Sequence, residues 1–153
     1  MKPNIKIPTN EEIKVFLDGY GWHYRETAST EGKAVIISPY ILEKEKKGIL
    51  ISFRAEGEFI MVSTAGFLKN VPESFSKNLL VMNDRIKLVK LFIVDSSEAG
   101  TFDAELGFEL WNESWNKETF YSFMDMLALG IERIIEKLAA ENIPYKTGFV
   151  VYT

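Results

Sequence analysis

The most constraining feature of the chain is a strict alternation of residue types between Thr101 and Leu110. Successive side chains of a β-strand point to opposite faces of its sheet, so alternation predicts a strand with one buried face. The apolar positions are Phe102, Ala104, Leu106, Phe108 and Leu110, and the positions between them are Asp103, Glu105, Gly107 and Glu109. The chain must therefore contain a sheet that buries one of its faces.

Three segments carry the apolar spacing of helices. The first is predicted from Asn10 to about Gly19, and Thr9 with Glu12 has the spacing of a capping box. The second is predicted from Pro72 to about Asn83, because proline suits a helix start. The third is predicted over residues 117–141, after a favourable N-cap asparagine.

Further strands are predicted between these helices. The first covers Trp22–Thr27 and the second Lys33–Ser38, and Gly48–Gly66 is predicted to form a hairpin. A second hairpin pairs Leu88–Val94 with the alternating strand. We expect the order α-β-β-β-α-β-β-α, an α+β fold whose largely antiparallel, twisted sheet has helices packed on one face.

Length and composition predict one soluble unit. The 153 residues suit a single domain, divided into an extended arm (1–9), a core (10–141) and a C-terminal tail (142–153). The apolar tail residues 149–153 are expected to add a strand or to pack on a partner. No apolar run approaches the roughly 20 residues that span a bilayer, and the absence of cysteine fits a reducing compartment. We therefore expect a cytoplasmic protein that does not bind membranes.

Charge and motifs argue against several functional classes. The net charge of −4 disfavours general attraction to nucleic acid, so no nucleic-acid partner is expected. His23 is the only histidine, and the chain has no nucleophile elbow, phosphate-binding glycine loop or zinc-protease motif. We therefore predict no catalytic residues, cofactor or metal site, and a protein that is not an enzyme.

The acidic row Asp103, Glu105 and Glu109 has two interpretations. Neighbouring carboxylates on one strand face can share a cation. The alternation by itself also predicts a solvated face, with Lys87 and Lys90 available for pairing across strands. The second interpretation needs no additional ligand, and we favour it.

An abrupt corner separates the second helix from the next strand in "NLLVMNDRIKLVKLFIVD", which starts at Asn78. The apolar spacing is helical before Asn83 and strand-like after it. Asparagine commonly adopts the left-handed conformation that stops a helix. We therefore predict that Asn83 is a C-terminal helix cap and not part of a functional site.

Apolar residues exceed what one helix packed on one sheet requires. Met126 and Leu129 lie off the main apolar stripe of the third helix, and Trp111 and Trp115 precede that helix. Either the tail and loops cover these side chains within one chain, or they form a dimer or partner surface. We predict that Trp111, Trp115, Met126 and Leu129 are interface residues.

The order of elements resembles the YbjN family, which shares its fold with the type III secretion chaperones. The resemblance lies in Leu79, Leu80 and Asn83 at a helix end, followed by "KLFIVD", "AELGFEL" and "TFYSFMDMLALGIERII", and it covers residues 10–140. It implies a non-enzymatic protein-binding module with a regulatory or chaperone-like role. In the secretion chaperones such a module is a homodimer that holds an extended client segment.

Two other functions stay open at this point. The chain could bind a small molecule, or be an unrecognised enzyme, with a pocket between sheet and helices that uses His23, Tyr24, Arg25 and the acidic row. It could also be a structural subunit of a larger assembly. A deep pocket with converging polar groups would favour the small-molecule alternative.

Overall fold

A computed structural model describes residues 5–28, 32–42, 47–96 and 98–147. The helices are α1 (Asn10–Tyr20), α2 (Ser76–Val81) and α3 (Lys117–Ala140). The strands are β1 (Arg25–Ala28), β2 (Ala34–Leu42), β3 (Lys47–Glu56), β4 (Phe59–Ala65), β5 (Leu68–Pro72), β6 (Lys90–Val94) and β7 (Thr101–Trp111). Short 3-10 turns cover Glu73–Phe75, Met82–Arg85 and Asn112–Ser114. The predicted α+β class is confirmed.

All strand pairs of the seven-stranded sheet are antiparallel. The order runs β1-β2-β3-β4-β7-β5, and β6 also pairs with β7. The long strand β7 is central, because β4 pairs with its second half from Gly107 to Trp111 and β6 pairs with its first half from Asp103 to Gly107. Position 107 therefore has a strand partner on each side.

Five strands precede α2, whereas the predicted segments contain four: two single strands and the two strands of the hairpin, which the predicted order counts as one unit. The additional short strand β5 lacks regular alternation, because its register on β7 shifts between Leu68 and Val71. Asn70 lies at a positive φ of 57° within that shift. Pro72 ends this strand and does not begin a helix, and α2 starts at Ser76 after a 3-10 turn.

The predicted alternation of β7 is realised in the core. Its five apolar side chains are all buried, and the helices cover the face of the sheet to which they point. Phe120 of α3 lies at the centre, with its ring 5.3 Å from that of Phe16 on α1 and 6.3 Å from that of Phe53 on β3. A fully buried phenylalanine contributes about 2–3 kcal/mol to stability, so this contact couples both helices to the sheet.

The starts of α1 and α3 follow the predicted capping chemistry. Thr9 accepts a hydrogen bond from the Glu12 amide at 3.3 Å, and Asn116 accepts one from the Thr119 amide at 3.0 Å. Gly21 ends α1 in the left-handed conformation, with a φ of 84°. The predicted boundaries of α1 and α3 therefore agree with the structure to within a residue or two.

The corner after α2 differs from its prediction. Met82 is the residue that follows α2, and its backbone is right-handed, with φ −60° and ψ −20°. The chain then continues through a 3-10 turn that contains Asn83. The prediction that Asn83 is a left-handed helix cap is therefore wrong, because the helix tightens into this turn and does not stop.

The chain after α3 returns to the sheet. Lys69 of β5 and Lys146 exchange two backbone hydrogen bonds, at 2.7 and 2.8 Å. The apolar tail residues 149–153 lie outside the described residues. None of the helices described here has both the length and the apolar character needed to cross a bilayer.

Candidate functional site on the open face of the sheet

The sheet face that points away from the helices carries a groove of about 480 Å³, here called the sheet groove. It lies over β4, β6 and β7, with Arg54 of β3 at one margin. The side chains that line it on this face are Arg54, Met61, Ser63, Lys90, Phe92, Val94, Glu105 and Glu109. These side chains belong to the alternate strand positions that do not enter the helix-covered core.

Gly107 lies between Glu105 and Glu109 on β7, beside the sheet groove. Its register partners are Ser63 on β4 and Lys90 on β6. A Cβ atom at position 107 would overlap the carbonyl oxygen of Val62 and lie 3.1 Å from the Cα atom of Ser63. Glycine thus permits the close approach of β4 at this position.

Apolar side chains form the walls and one end of the sheet groove. Met61, Phe92 and Val94 are half-buried. Beyond Met61, Phe59 and Trp111 face each other across β4 and β7 and are 40% and 39% exposed. Aromatic and methionine side chains concentrated on one open surface are typical of protein interfaces.

Charged side chains of both signs surround this apolar surface. Lys90 Nζ lies 2.8 Å from Glu109 Oε1, and Arg54 Nε lies 2.7 Å from Glu56 Oε2. Burial raises the pKa of Glu105 above its usual value, while the backbone N–H of Gly66 and the charge of Arg54 act in the opposite direction. The groove therefore combines an apolar surface with exposed charged groups and one half-buried carboxylate, Glu105.

The acidic row does not converge on one point. Asp103 accepts a hydrogen bond from the Asn70 amide at 2.9 Å, and Glu109 pairs with Lys90. The predicted pairing with Lys90 is confirmed, whereas Lys87 lies in the loop before β6. Across residues 5–28, 32–42, 47–96 and 98–147, no group of three or more histidine or carboxylate side chains is arranged to hold a metal ion.

The residues that would form the predicted small-molecule site, His23 to Arg25 and the acidic row, lie far apart in the fold. His23 is exposed and lies two residues before the edge strand β1. Strands β2, β3 and β4 separate that strand from β7, which carries the acidic row. The row also faces away from the helices, and Phe53, Phe108 and Phe120 pack together between sheet and helices. These groups therefore do not line one pocket between the two layers.

The four predicted interface residues do not form a single surface. Trp111 lies on the open face, beside the sheet groove. Met126 and Leu129 belong to α3, on the other side of the sheet, where Leu129 is 36% exposed and Met126 is half-buried against the core. Trp115 is only 1% exposed, so the structure removes it from the surface.

Trp115 belongs to the buried apolar core, and the segment before α1 also contacts it. The ammonium group of Lys6 lies 4.4 Å from the centre of the Trp115 ring. The Lys6 amide also donates a hydrogen bond to Asn112 Oδ1 at 3.1 Å. The segment before α1 therefore reaches this tryptophan, a contact between residues more than a hundred positions apart that sequence spacing does not reveal.

Sequence reasoning misses most of the sheet groove. Phe59, Met61, Phe92 and Val94 look like ordinary strand residues. Two signals point to the site: the glycine that stands among the charged positions of β7, and the segment Leu88–Val94, which is largely apolar at both alternating sets of positions. A glycine within a strand often marks close backbone approach, and both features map to the open face.

Side chains occupy parts of the exposed strand edges. The Trp111 amide donates to Ser114 Oγ at 2.7 Å, and Ser114 Oγ donates to the Trp111 carbonyl oxygen at 2.5 Å. The side chain of Asn83 binds both backbone groups of Leu91 on β6 in a similar way. Such contacts hinder strand addition at these positions, so the open face is a better candidate surface than the edges.

Comparisons with known proteins support the fold. No family model matches the sequence, and no curated protein matches it. The crystal structure of YbjN from E. coli, described as a candidate transcription regulator, is similar with a TM-score of 0.65 at 16% identity. The match covers 92% of this chain and 98% of YbjN.

A second solved structure agrees with the first. An uncharacterized protein from Methanothermobacter thermautotrophicus is similar with a TM-score of 0.56 at 15% identity, covering 86% of this chain and 97% of that protein. Both similarities extend over nearly the whole length of each protein. They confirm the predicted resemblance at the level of architecture: this chain has a YbjN-like α+β fold.

Proposed function

We propose that this protein is a non-enzymatic protein-binding module whose sheet groove receives apolar side chains of an extended partner segment. One observation carries the proposal. No described helix covers the open face, and that face presents Met61, Phe92 and Val94 in the sheet groove, beside the exposed pair Phe59 and Trp111.

The shape of the groove favours a polypeptide partner. Ligand pockets for small molecules enclose most of their ligand and carry converging polar groups. The sheet groove lies on an open sheet face, and its exposed charged groups Lys90 and Glu109 neutralise each other. An apolar centre with a polar rim is the usual arrangement of a protein interface.

The role that we propose is regulatory or chaperone-like and cytoplasmic. The similar protein YbjN is described as a candidate transcription regulator, and a regulator can act by capturing another protein. A second copy of this chain is the simplest partner, since Phe59 and Trp111 of two copies can pack against each other in a symmetric dimer.

The proposal is tested by replacing, one at a time, two neighbouring residues of β6 that point to opposite faces of the sheet. Phe92 lines the sheet groove, whereas Ile93, its neighbour on β6, is 44% exposed and points towards the helix-covered side. We expect Phe92→Ser to weaken binding of extended peptides with alternating apolar residues about tenfold, which corresponds to about 1.4 kcal/mol. The matched variant Ile93→Ser should bind as the wild type does. Fluorescence anisotropy of labelled peptides measures both.

Self-association is measured separately. Sedimentation velocity at micromolar concentrations distinguishes a monomer from a dimer, and Trp111→Ser should shift a dimer towards monomer. Equal peptide affinities for wild type, Phe92→Ser and Ile93→Ser would contradict the groove as the binding site. A monomer that binds none of the apolar peptides would contradict the proposed function as a whole.

A further inference from the structure

A cluster of aromatic rings lies on the helix-covered side of the molecule, away from the sheet groove. Trp22 stands between Tyr20 at the end of α1 and Tyr40 on β2, with ring centroids 5.8 and 6.2 Å apart. The rings of Trp22 and Tyr40 are stacked, at an interplanar angle of 25°. All three side chains are half-buried, so each retains an accessible part.

Two carboxylates of α3 complete this cluster. The Tyr20 hydroxyl donates a hydrogen bond to Asp125 Oδ1, and the Tyr40 hydroxyl donates to Glu132 Oε1 at 3.1 Å. Asp125 and Glu132 are both exposed. Tyr20, Trp22, Tyr40, Asp125 and Glu132 are here called the tyrosine–carboxylate surface.

Both carboxylates lack a cationic partner within the part of the chain that the structure describes. The ion pairs found there are Lys14 with Glu11 and Glu26, Arg54 with Glu56, and Lys90 with Glu109. A carboxylate has about four lone-pair positions, and one tyrosine hydroxyl occupies one of them. Asp125 and Glu132 therefore keep acceptor capacity that faces solvent.

The aromatic rings add to the negative potential of this surface. The face of a tyrosine or tryptophan ring attracts cations, and tryptophan does so most strongly. The chain already contains one such contact nearby, because Lys117 Nζ lies 5.9 Å from the ring centre of Tyr121, which itself packs 5.1 Å from Tyr20. Burial, and then the neighbouring Glu132, raise the pKa of Tyr40 to about 12, so its hydroxyl stays a neutral donor at physiological pH.

We propose that the tyrosine–carboxylate surface binds a lysine- or arginine-bearing segment of a partner polypeptide. The cation would lie over the ring of Trp22 or Tyr40, with Asp125 or Glu132 as its counter-ion. Charge complementarity favours this occupant, because the two carboxylates that flank the rings have no cationic partner among the described residues, and the net charge of the protein is −4. This surface lies on the opposite side of the sheet from the groove and does not depend on it.

Two variants of one helix test the proposal. Glu132→Gln removes the carboxylate that holds Tyr40, whereas Glu136→Gln makes the same charge change one turn further along α3, at another exposed position. We expect Glu132→Gln to weaken binding of a labelled arginine-containing peptide at least fivefold, and Glu136→Gln to change it less than twofold. The reference is a peptide of the same length with glutamine in place of arginine, which should bind at least tenfold more weakly to the wild type.

Further variants separate this binding from loss of folding and from the sheet groove. Tyr40→Phe keeps the ring and should weaken binding less than Tyr40→Ala, and thermal unfolding of each variant establishes that it is folded. Phe92→Ser should leave the binding of the arginine-containing peptide unchanged, because Phe92 lies on the opposite face of the sheet.

Three outcomes would overturn the proposal. The first is an equal effect of Glu132→Gln and Glu136→Gln, and the second is equal binding of the arginine and glutamine peptides. The third is tetramethylammonium binding as tightly as the arginine-containing peptide, because the surface would then select a small cation and not a polypeptide segment.

Discussion

The side chain of Asn83 binds the backbone of Leu91 as a neighbouring strand would. Asn83 Nδ2 donates to the Leu91 carbonyl oxygen at 3.1 Å, and the Leu91 amide donates to Asn83 Oδ1 at 2.7 Å. Asn83 Nδ2 also donates a hydrogen bond to the carbonyl oxygen of Leu80, at 3.3 Å. One side chain thus ties the end of α2 to the edge strand β6, and the corner between them is structural.

Replacing Asn83 should therefore loosen the junction between α2 and β6. Asn83→Ala leaves both backbone groups of Leu91 without their partner, and we expect the free energy of unfolding to fall by about 1–2 kcal/mol. Urea denaturation measures the loss. Asn78→Ala, at an exposed position of α2, should cost less than about 0.5 kcal/mol. Unchanged stability of Asn83→Ala would show that water replaces the amide at no cost.

Thr64, a buried residue of β4, binds the backbone of a neighbouring strand in the same way as Asn83 does. The Leu106 amide donates to Thr64 Oγ1 at 2.8 Å, and Thr64 Oγ1 donates to the Leu106 carbonyl oxygen at 3.0 Å. Thr64 is fully buried. Thr64→Val preserves the shape and removes both bonds, so we expect a loss of about 1–3 kcal/mol in thermal or chemical unfolding. Ser63→Ala, one residue away on the half-buried open face, is the control and should cost much less.

Contacts of this kind cannot be predicted from the sequence, whereas elements set by local periodicity can. The alternation of β7 and the stripe of α3 follow from local periodicity, so both elements and most of their buried residues could be predicted. Strand β5 could not be predicted, because Asn70, in the left-handed conformation, interrupts the alternation of buried and exposed residues. Lys6 contacts the ring of Trp115, and Tyr40 binds Glu132. In each pair the two residues are about ninety or more positions apart in the sequence. No spacing rule encodes such contacts.

Two glycines should respond differently to the same substitution. A Cβ at Gly107 would overlap the backbone oxygen of Val62, so we expect Gly107→Ala to separate β4 from β7 and to cost roughly 2–3 kcal/mol or more. At Gly130 the nearest atoms are side-chain methyl groups of Leu106 and Val89, at 3.1 and 3.2 Å, which can shift. Alanine also favours the helix by about 1 kcal/mol. Gly130→Ala should therefore change stability by less than about 1 kcal/mol, and similar losses for both variants would contradict this expectation.

Glu105 should make stability depend on pH. Burial raises its pKa in the folded state, so the unfolded chain releases this proton first as the pH rises. Folding is therefore penalised progressively from about pH 4.3, the usual value for an unfolded glutamate, through the higher pKa of the folded state. Glu105→Gln removes the penalty, and its stability relative to wild type should increase from about pH 3 towards about pH 7.

The control for Glu105→Gln is a carboxylate with the same formal charge and no burial. Glu136 is exposed on α3, so Glu136→Gln reports the effect of net charge alone. Urea titrations of the three proteins at several pH values measure the difference. A difference between Glu105→Gln and wild type that stays constant with pH would show that the Gly66 N–H and Arg54 fully compensate the burial of this carboxylate.

The contact between Ser114 and Trp111 should limit self-association through the edge of β7. Strand β6 covers this edge only as far as Gly107, and Ser114 Oγ engages both backbone groups of Trp111 beyond that point. Ser114→Ala frees those groups for another chain, and unpaired strand edges promote association. We expect light scattering of Ser114→Ala at increasing concentration to show larger assemblies than wild type, and more so when combined with Asn83→Ala. Ser122→Ala, at an exposed helical position, should behave as wild type, and equal scattering by all variants would show that these two side chains do not protect the edges.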